Sequence, residues 1–179
     1  MTHPTPNGRA ADRPFFQQAQ ELLRSDRYAR LDAFAQHGNT SCLLHSVAVA
    51  YYSYRAGRAL PVPLRERALI RGALLHDYFL YDWHDPDPSH RLHGFRHPRT
   101  ALRNAARDFP LDAVEREIIR HHMFPLTPAP PRCREALLVC LVDKACSLYE
   151  VFRPDAYPTL RRRLPAVPTI SEPGGTHTN

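Results

Sequence analysis

Residues 63–82 read PLRERALIRGALLHDYFLYD, a run in which apolar positions recur at steps of three and four and strand-like alternation is nearly absent. That period marks helix, and it continues on both sides of the run. Working outward, a first helix is predicted from Pro14 to Ala35, with Pro14 in the first turn, where its missing N–H costs nothing. A second follows the capping residues Asn39 and Thr40 and carries SCLLHSVAVAYYSYRAG until Gly57 ends it. The third is the run quoted above, beginning near Pro63. A fourth opens at Pro98 and ends before Pro110, a fifth spans Leu111 to about His122, and a sixth holds CREALLVCLVDKACSLYEVF until Pro154 stops it. The expected fold class is all-α: one compact bundle of about six helices over residues 14–163. Pro-rich, flexible tails are expected at residues 1–13 and 164–179.

The 179-residue chain is about one domain long, enough to bury roughly two-thirds of the surface its unfolded form exposes. Hydrophobic residues make up 43% and charged residues 23%, close to globular averages, and the apolar runs are far shorter than the roughly 18 residues of a membrane span. Collagen, coiled coil, bulk disorder and an integral membrane protein are thereby excluded as classes. The first twenty residues contain no apolar stretch that could serve as a secretory signal, so a cytoplasmic location is the expectation. Cys42, Cys133, Cys140 and Cys146 form no CxxC pair and read as small reduced core residues, which argues against a disulfide framework or a thiolate zinc site. Of the 24 Lys and Arg residues one is Lys144, leaving 23 Arg, and the net charge is +6. The planar guanidinium suits phosphate oxygens. No helix-turn-helix, zinc finger or aromatic RNA-binding strand is visible, so the basic balance is read as favouring an anionic small molecule over nucleic acid.

The chemistry lies where acids and imidazoles fall on apolar stripes. His45 shares a helix face with Cys42, Ala48, Val49 and Tyr52, at offsets of three, four and seven. His76 and Asp77 sit between GALL and YFLY, and Asp143 aligns with Ala136, Val139, Cys140, Cys146 and Ser147. Taken alone, His45 reads as a hydrogen-bonded core residue, and Asp143 could cap a helix or pair with an Arg. Two buried acids and several buried imidazoles in one small domain are costly unless something shared neutralises them. A divalent cation does so, because neutral imidazole nitrogens and carboxylate oxygens are its usual ligands. Neighbouring helical residues diverge by about 100°, so His76 and Asp77 can both reach an ion between their directions.

The ordered set His45, His76-Asp77, Asp143 resembles the signature of the HD superfamily of metal-dependent phosphohydrolases, over roughly residues 36–152. The two-metal members, such as the HD-GYP cyclic dinucleotide phosphodiesterases, add a histidine in an HP dipeptide and a His-His pair. This chain has His97-Pro98 and His121-His122 in the same order. The resemblance implies that His45, His76, Asp77 and Asp143 hold a first ion, and that Asp77 bridges to a second held by His97, His121 and His122. It further implies that Asp77 is catalytic and that a metal-activated water attacks a phosphate ester, with a nucleotide among the candidate substrates. A donor set of imidazole and carboxylate without thiolate suits one or two ions of Mn, Fe, Co, Ni or Zn better than Mg.

The departures narrow the reading. The glycine-tyrosine-proline segment of the cyclic dinucleotide enzymes is absent, since MFPLTPAPP follows His122. Some relatives place an acid shortly after the His-Asp pair, whereas Tyr78, Phe79, Leu80 and Tyr81 stand here and the first acid is Asp82. Asp82, His84 and Lys144 are the remaining candidates for a general acid or base, and Lys144, adjacent to Asp143, reads as an outward solvated side chain. The loop YDWHDPDPSHRLHGFRHP is expected to form the mouth of the site, with Trp83 stacking on a substrate ring and Arg91 and Arg96 meeting phosphate. His84, His90 and His93 read as surface residues, with His93 the alternative ligand. Two further readings stay open. One is a mixed-valent di-iron oxygenase resembling myo-inositol oxygenase, and the other is a non-catalytic nucleotide-binding module. The oligomeric state is also left open, with a homo-oligomer allowed.

Overall fold

The computed structural model describes residues 6–37, 39–81, 93–153 and 155–164. Among them the fold is all-α apart from one short hairpin, as expected. In chain order the elements are α1 (Pro6–Leu23), α2 (Asp26–Ala29) and a 3-10 turn (Arg30–Ala33), followed by β1 (Ala35–His37) and β2 (Thr40–Ser41). Then come α3 (Cys42–Ala59), α4 (Glu66–Leu75), α5 (His93–Asp108), α6 (Ala113–His121), α7 (Arg134–Phe152) and the one-turn α8 (Pro158–Arg161). The hairpin is antiparallel, with Ala35 opposite Ser41.

The helices start and stop for identifiable reasons, not always the expected ones. The helix predicted from Pro14 to Ala35 opens at Pro6, contains Pro14, and is over by Leu23. Residues 6–13, expected as tail, are therefore helical, and Asp12 is buried, taking hydrogen bonds from Tyr51 at 2.9 Å and Arg163 at 2.6 Å. Those anchors lie more than 38 residues away, so no local pattern announced them. α3 is capped by Ser41, whose hydroxyl accepts from the Leu44 N–H, rather than by Asn39 or Thr40. α6 opens with a reciprocal capping box between Asp112 and Glu115. α5 begins at His93, so that Pro98 lies inside the helix and not at its start.

α4 is the centre of the bundle, packed between α3, α6 and α1. The approach to α6 is close: a Cβ on Gly72 would stand 2.6 Å from Ile118 Cδ1, which only a residue without a side chain avoids. Arg71, also buried, is fully paired, donating to Glu115 at 2.7 Å, Glu21 at 2.9 Å and the Pro110 carbonyl at 3.1 Å. The helix stops at Leu75, so His76 is its C-cap and Asp77 lies in the turn beyond, where a longer helix was expected. Asn104 of α5 donates to the Phe79 carbonyl at 2.8 Å and holds this turn to α5. Leu80 then adopts a left-handed backbone, φ 59°, which costs a branched residue roughly 1–2 kcal/mol.

Candidate metal centre

Three helices and the turns that close two others bring six of the seven sequence-predicted ligands into one buried cluster. His45 comes from α3, His76 and Asp77 from the end of α4, His97 from the first turns of α5, His122 from the C-cap of α6, and Asp143 from the middle of α7. All six are buried. On one side His45 Nε2 lies 3.1 Å from Asp143 Oδ1, and His76 Nε2 lies 3.5 Å from the same oxygen and 3.4 Å from Asp77 Oδ2. On the other side Asp77 Oδ1 lies 3.2 Å from His97 Nε2 and 3.4 Å from His122 Nε2, and the two imidazole nitrogens are 2.8 Å apart. The two oxygens of Asp77 therefore face two different groups of imidazoles.

The far nitrogens of the imidazoles fix what the near ones can do. A carbonyl only accepts, so His76 Nδ1 donates to the Ala73 carbonyl at 2.7 Å and His122 Nδ1 to that of Ile119 at 2.9 Å. In the neutral form this leaves both Nε2 atoms as lone pairs aimed at carboxylate oxygens, which are also acceptors. His76 Nε2 and Asp77 Oδ1 are indeed buried without a hydrogen-bond partner. Acceptors that face acceptors in a dry site are reconciled by a proton or by a cation. The triplets His45, His76, Asp143 and His76, Asp77, His122 each place one ligand atom apiece within 4.8 Å of one another, so the donors fit a metal ion.

The protonation balance carries the same message. Burial draws the His45 pKa down, but the hydrogen bonds its ring donates to Asp143 and Glu150 outweigh it and leave it well above the ordinary imidazole value. His76 is raised too, by the charge of Asp77 and the bond to Asp143 against its burial. Burial alone would raise Asp77 and Asp143, yet His76, His122 and His97 hold the first, and His45 and His76 the second, far below the usual carboxylate range. Burial lowers His122. The acids stay ionised because positive charge sits beside them.

Two supporting residues were not singled out from sequence. Glu150, fully buried, brackets His45 Nδ1 with both carboxylate oxygens, at 2.9 and 3.0 Å. Its signal was legible in principle: it follows Asp143 by seven residues, two turns along the same face of α7. Gln36 on β1 donates to Asp77 Oδ2 at 2.7 Å, a contact across 41 residues for which no sequence signal exists. Lys144 corrects the outward reading. It is half-buried and reaches back along α7 to donate to the His122 carbonyl at 2.8 Å, because the turn after α6 offers its carbonyls there.

The seventh predicted ligand is not brought to the cluster. His121 is buried, but its Nδ1 pairs with Glu117 at 2.8 Å one turn earlier, and it lines a separate cavity with Arg99 and Arg120. Adjacent helical residues point about 100° apart, and with His122 turned to the cluster it is the pair with Glu117 that holds the His121 ring on the other side. Arg96 is exposed. Trp83, Arg91, Asp82, His84 and His90 lie outside the described residues.

The cluster floors a cavity of about 570 Å³. Asp77, His97, His122 and Asp143 reach it, and its walls are Gln36, Gly94, Met123, Pro125, Leu126, Lys144 and Ser147. That volume is of small-molecule size. The HD domain family matches residues 43–147, a span that opens just before His45 and closes just after Asp143. The chain belongs to the HD domain family. HD domains form a superfamily of metal-dependent phosphohydrolases, and membership together with the His and Asp cluster indicates binding of a divalent metal. No curated protein and no solved structure matches the chain. No helix among the described residues of this HD domain is long and apolar enough to cross a membrane.

Proposed function

We propose that this HD-domain protein is a metal-dependent phosphohydrolase that cleaves a phosphate ester of a small anionic molecule, a nucleotide being one candidate. The observation that carries the reading is the division of Asp77, one oxygen toward His45 and His76 and the other toward His97 and His122. In this assignment His45, His76, Asp77 and Asp143 hold one ion, and Asp77, His97 and His122 hold a second. Two such ions would polarise a phosphoryl oxygen and lower the pKa of a bound water into the neutral range. The chain's own part is preorganisation. Glu150 and the Ala73 and Ile119 carbonyls lock three imidazoles in one tautomer, and Gln36 holds Asp77 in place. The apolar wall of Gly94, Met123, Pro125 and Leu126 suits an uncharged part of the substrate, while Lys144, its ammonium held by the His122 carbonyl, puts a positive charge in the lining. Arg91, Arg96 and Trp83 remain proposed substrate contacts. His121 is left out of the metal set because Glu117 holds it elsewhere.

The test is turnover. Purified protein with Mn, Fe, Co, Ni or Zn is incubated with a panel of phosphomonoesters, phosphodiesters and nucleotides, and release of phosphate or phosphomonoester is followed. Metal-dependent turnover that disappears in Asp77→Ala is expected. Metal-loaded protein inert across the panel overturns the proposal. In that event substrate-dependent oxygen uptake with two irons would identify an oxygenase, and a nucleotide that raises the melting temperature without being converted would identify a binding module.

A further inference from the structure

α7 is apolar on both of its sides, and among the described residues only one of them is covered. Its inner face buries Ala136, Val139, Cys140 and Cys146. Every charged residue from Glu135 to Glu150 is turned to an internal partner. Glu135 accepts from the Arg65 N–H at 2.8 Å, Asp143 and Glu150 meet His45, and Lys144 meets the His122 carbonyl. The residues left facing solvent are Leu137, Leu141, Ala145, Leu148, Val151 and Phe152, with Tyr149 beside them. Leu141 is 58% exposed, Leu148 62% and Phe152 73%. The other exposed position of the helix is Arg134, its first residue.

Single exposed leucines are ordinary, but a solvated helix face with no charge for eighteen residues is not, least of all in a chain of mean hydropathy −0.46. On the helical wheel Leu137, Leu141, Leu148 and Phe152 fall within about 60°, forming a straight stripe about 22 Å long. Their steps of four, seven and four fit the seam of two packed helices. The exposed apolar area is about 600 Å², at the upper end for one patch on a monomer, and two copies of it reach the roughly 1,200 Å² at which specific interfaces begin.

We propose that this face pairs with the same face of a second copy of the chain, the two α7 helices crossing antiparallel about a two-fold axis between Lys144 and Ala145. The stripe is self-complementary about that point. Leu141 of one copy meets Leu148 of the other, Leu137 meets Phe152, and the small Ala145 lets the backbones approach at the crossing. Antiparallel pairing opposes the two helix macrodipoles and keeps the two Arg134 side chains at opposite ends. A patch without charge offers nothing to select a charged partner. Tyr149 and the half-exposed Tyr52 extend it at one end, each packed on Tyr157 with ring centroids 5.4 and 5.8 Å apart. Because Asp143 and Glu150 project from the opposite side of the same helix, the dimer would clamp α7 from behind the cluster.

Sedimentation equilibrium of the full chain tests this over concentrations up to about 100 µM. The wild-type protein is expected at twice its 20.5 kDa mass. The double variant Leu141→Glu/Leu148→Glu is expected at the single mass, its self-association weakened at least about 100-fold, with unchanged helical circular dichroism and bound metal. A wild-type protein that stays at single mass, that grows without a plateau at two copies, or whose double variant remains a folded dimer would overturn the proposal. Should the double variant lose its helical signal, mild oxidation decides. Relative to wild type, Ala145→Cys gains a disulfide-linked dimer and Leu137→Cys does not, because only residue 145 lies near its own copy across the axis. Cross-linking at 137 but not at 145 would rule out the antiparallel arrangement.

Discussion

The two halves of the cluster are built differently. The His45, His76, Asp143 side comes from three helices of the core, and each of its groups is braced from behind by Glu150, the Ala73 carbonyl or the helix itself. The His97, His122 side comes from the first turns of α5 and the C-cap of α6, where the Ile119 carbonyl holds His122 and the Phe79 ring packs edge-on against His97. Asp77 belongs to both. The contrast teaches that one half is a consequence of packing the bundle, while the other depends on how the chain enters and leaves two helix ends. Affinity should accordingly differ between the halves.

The largest effect is expected from the shared residue. Asp77→Ala should lose both ions and lower turnover by more than about 10³-fold, whereas His97→Ala should keep one ion. Elemental analysis of the two variants side by side checks this, and equal metal content would end the bridging assignment. Glu150→Gln keeps an acceptor for His45 but removes its charge. We expect metal affinity to fall about 10- to 100-fold in calorimetric titration, the range for losing a carboxylate behind a ligating imidazole. An unchanged affinity would mean that the braced half owes nothing to its brace.

A third measurement uses pH. His45 and His76, raised in the folded protein, contribute stability that is fully present below their unfolded pKa of about 6.5 and is lost as pH climbs through the folded values. Asp77 and Asp143, lowered, contribute stability above the unfolded carboxylate range that is lost as pH falls through theirs. A metal ion must displace the imidazole protons, so the rise in melting temperature on adding Mn should be larger at about pH 8 than at about pH 6. A rise independent of pH would show that no proton leaves.

Two smaller effects probe the frame. In Gly72→Ala the new Cβ meets Ile118 at the α4–α6 contact that spaces the two halves, and a loss of about 1–3 kcal/mol is expected in urea unfolding, with metal stoichiometry retained. The smallest is His121→Ala, which removes a buried ring and its pair with Glu117. Stability should fall by about 0.5–3 kcal/mol, the ordinary range for truncating one buried side chain, and metal content and turnover should not change. A lost ion in this variant would return His121 to the ligand set.

The sequence alone determined the all-α class and the buried positions of His45, His76, Asp77 and Asp143. Helical periodicity is a local property, and a polar residue on an apolar stripe must be buried wherever that stripe packs. It also suggested His97 and His122, through order along the chain. Only the tertiary structure separated His122 from His121, since the angle between adjacent rings at a helix end depends on where α6 stops and what Glu117 captures. Only it brought Gln36 and Glu150 to the cluster and turned Lys144 inward, because hydrogen bonds across tens of residues depend on how helices dock, which no window of sequence contains. The outer face of α7 shows the same division. Its leucines are plain in the sequence, but that no other described residue covers them is decided by the bundle, which spends the opposite face of that helix on its core.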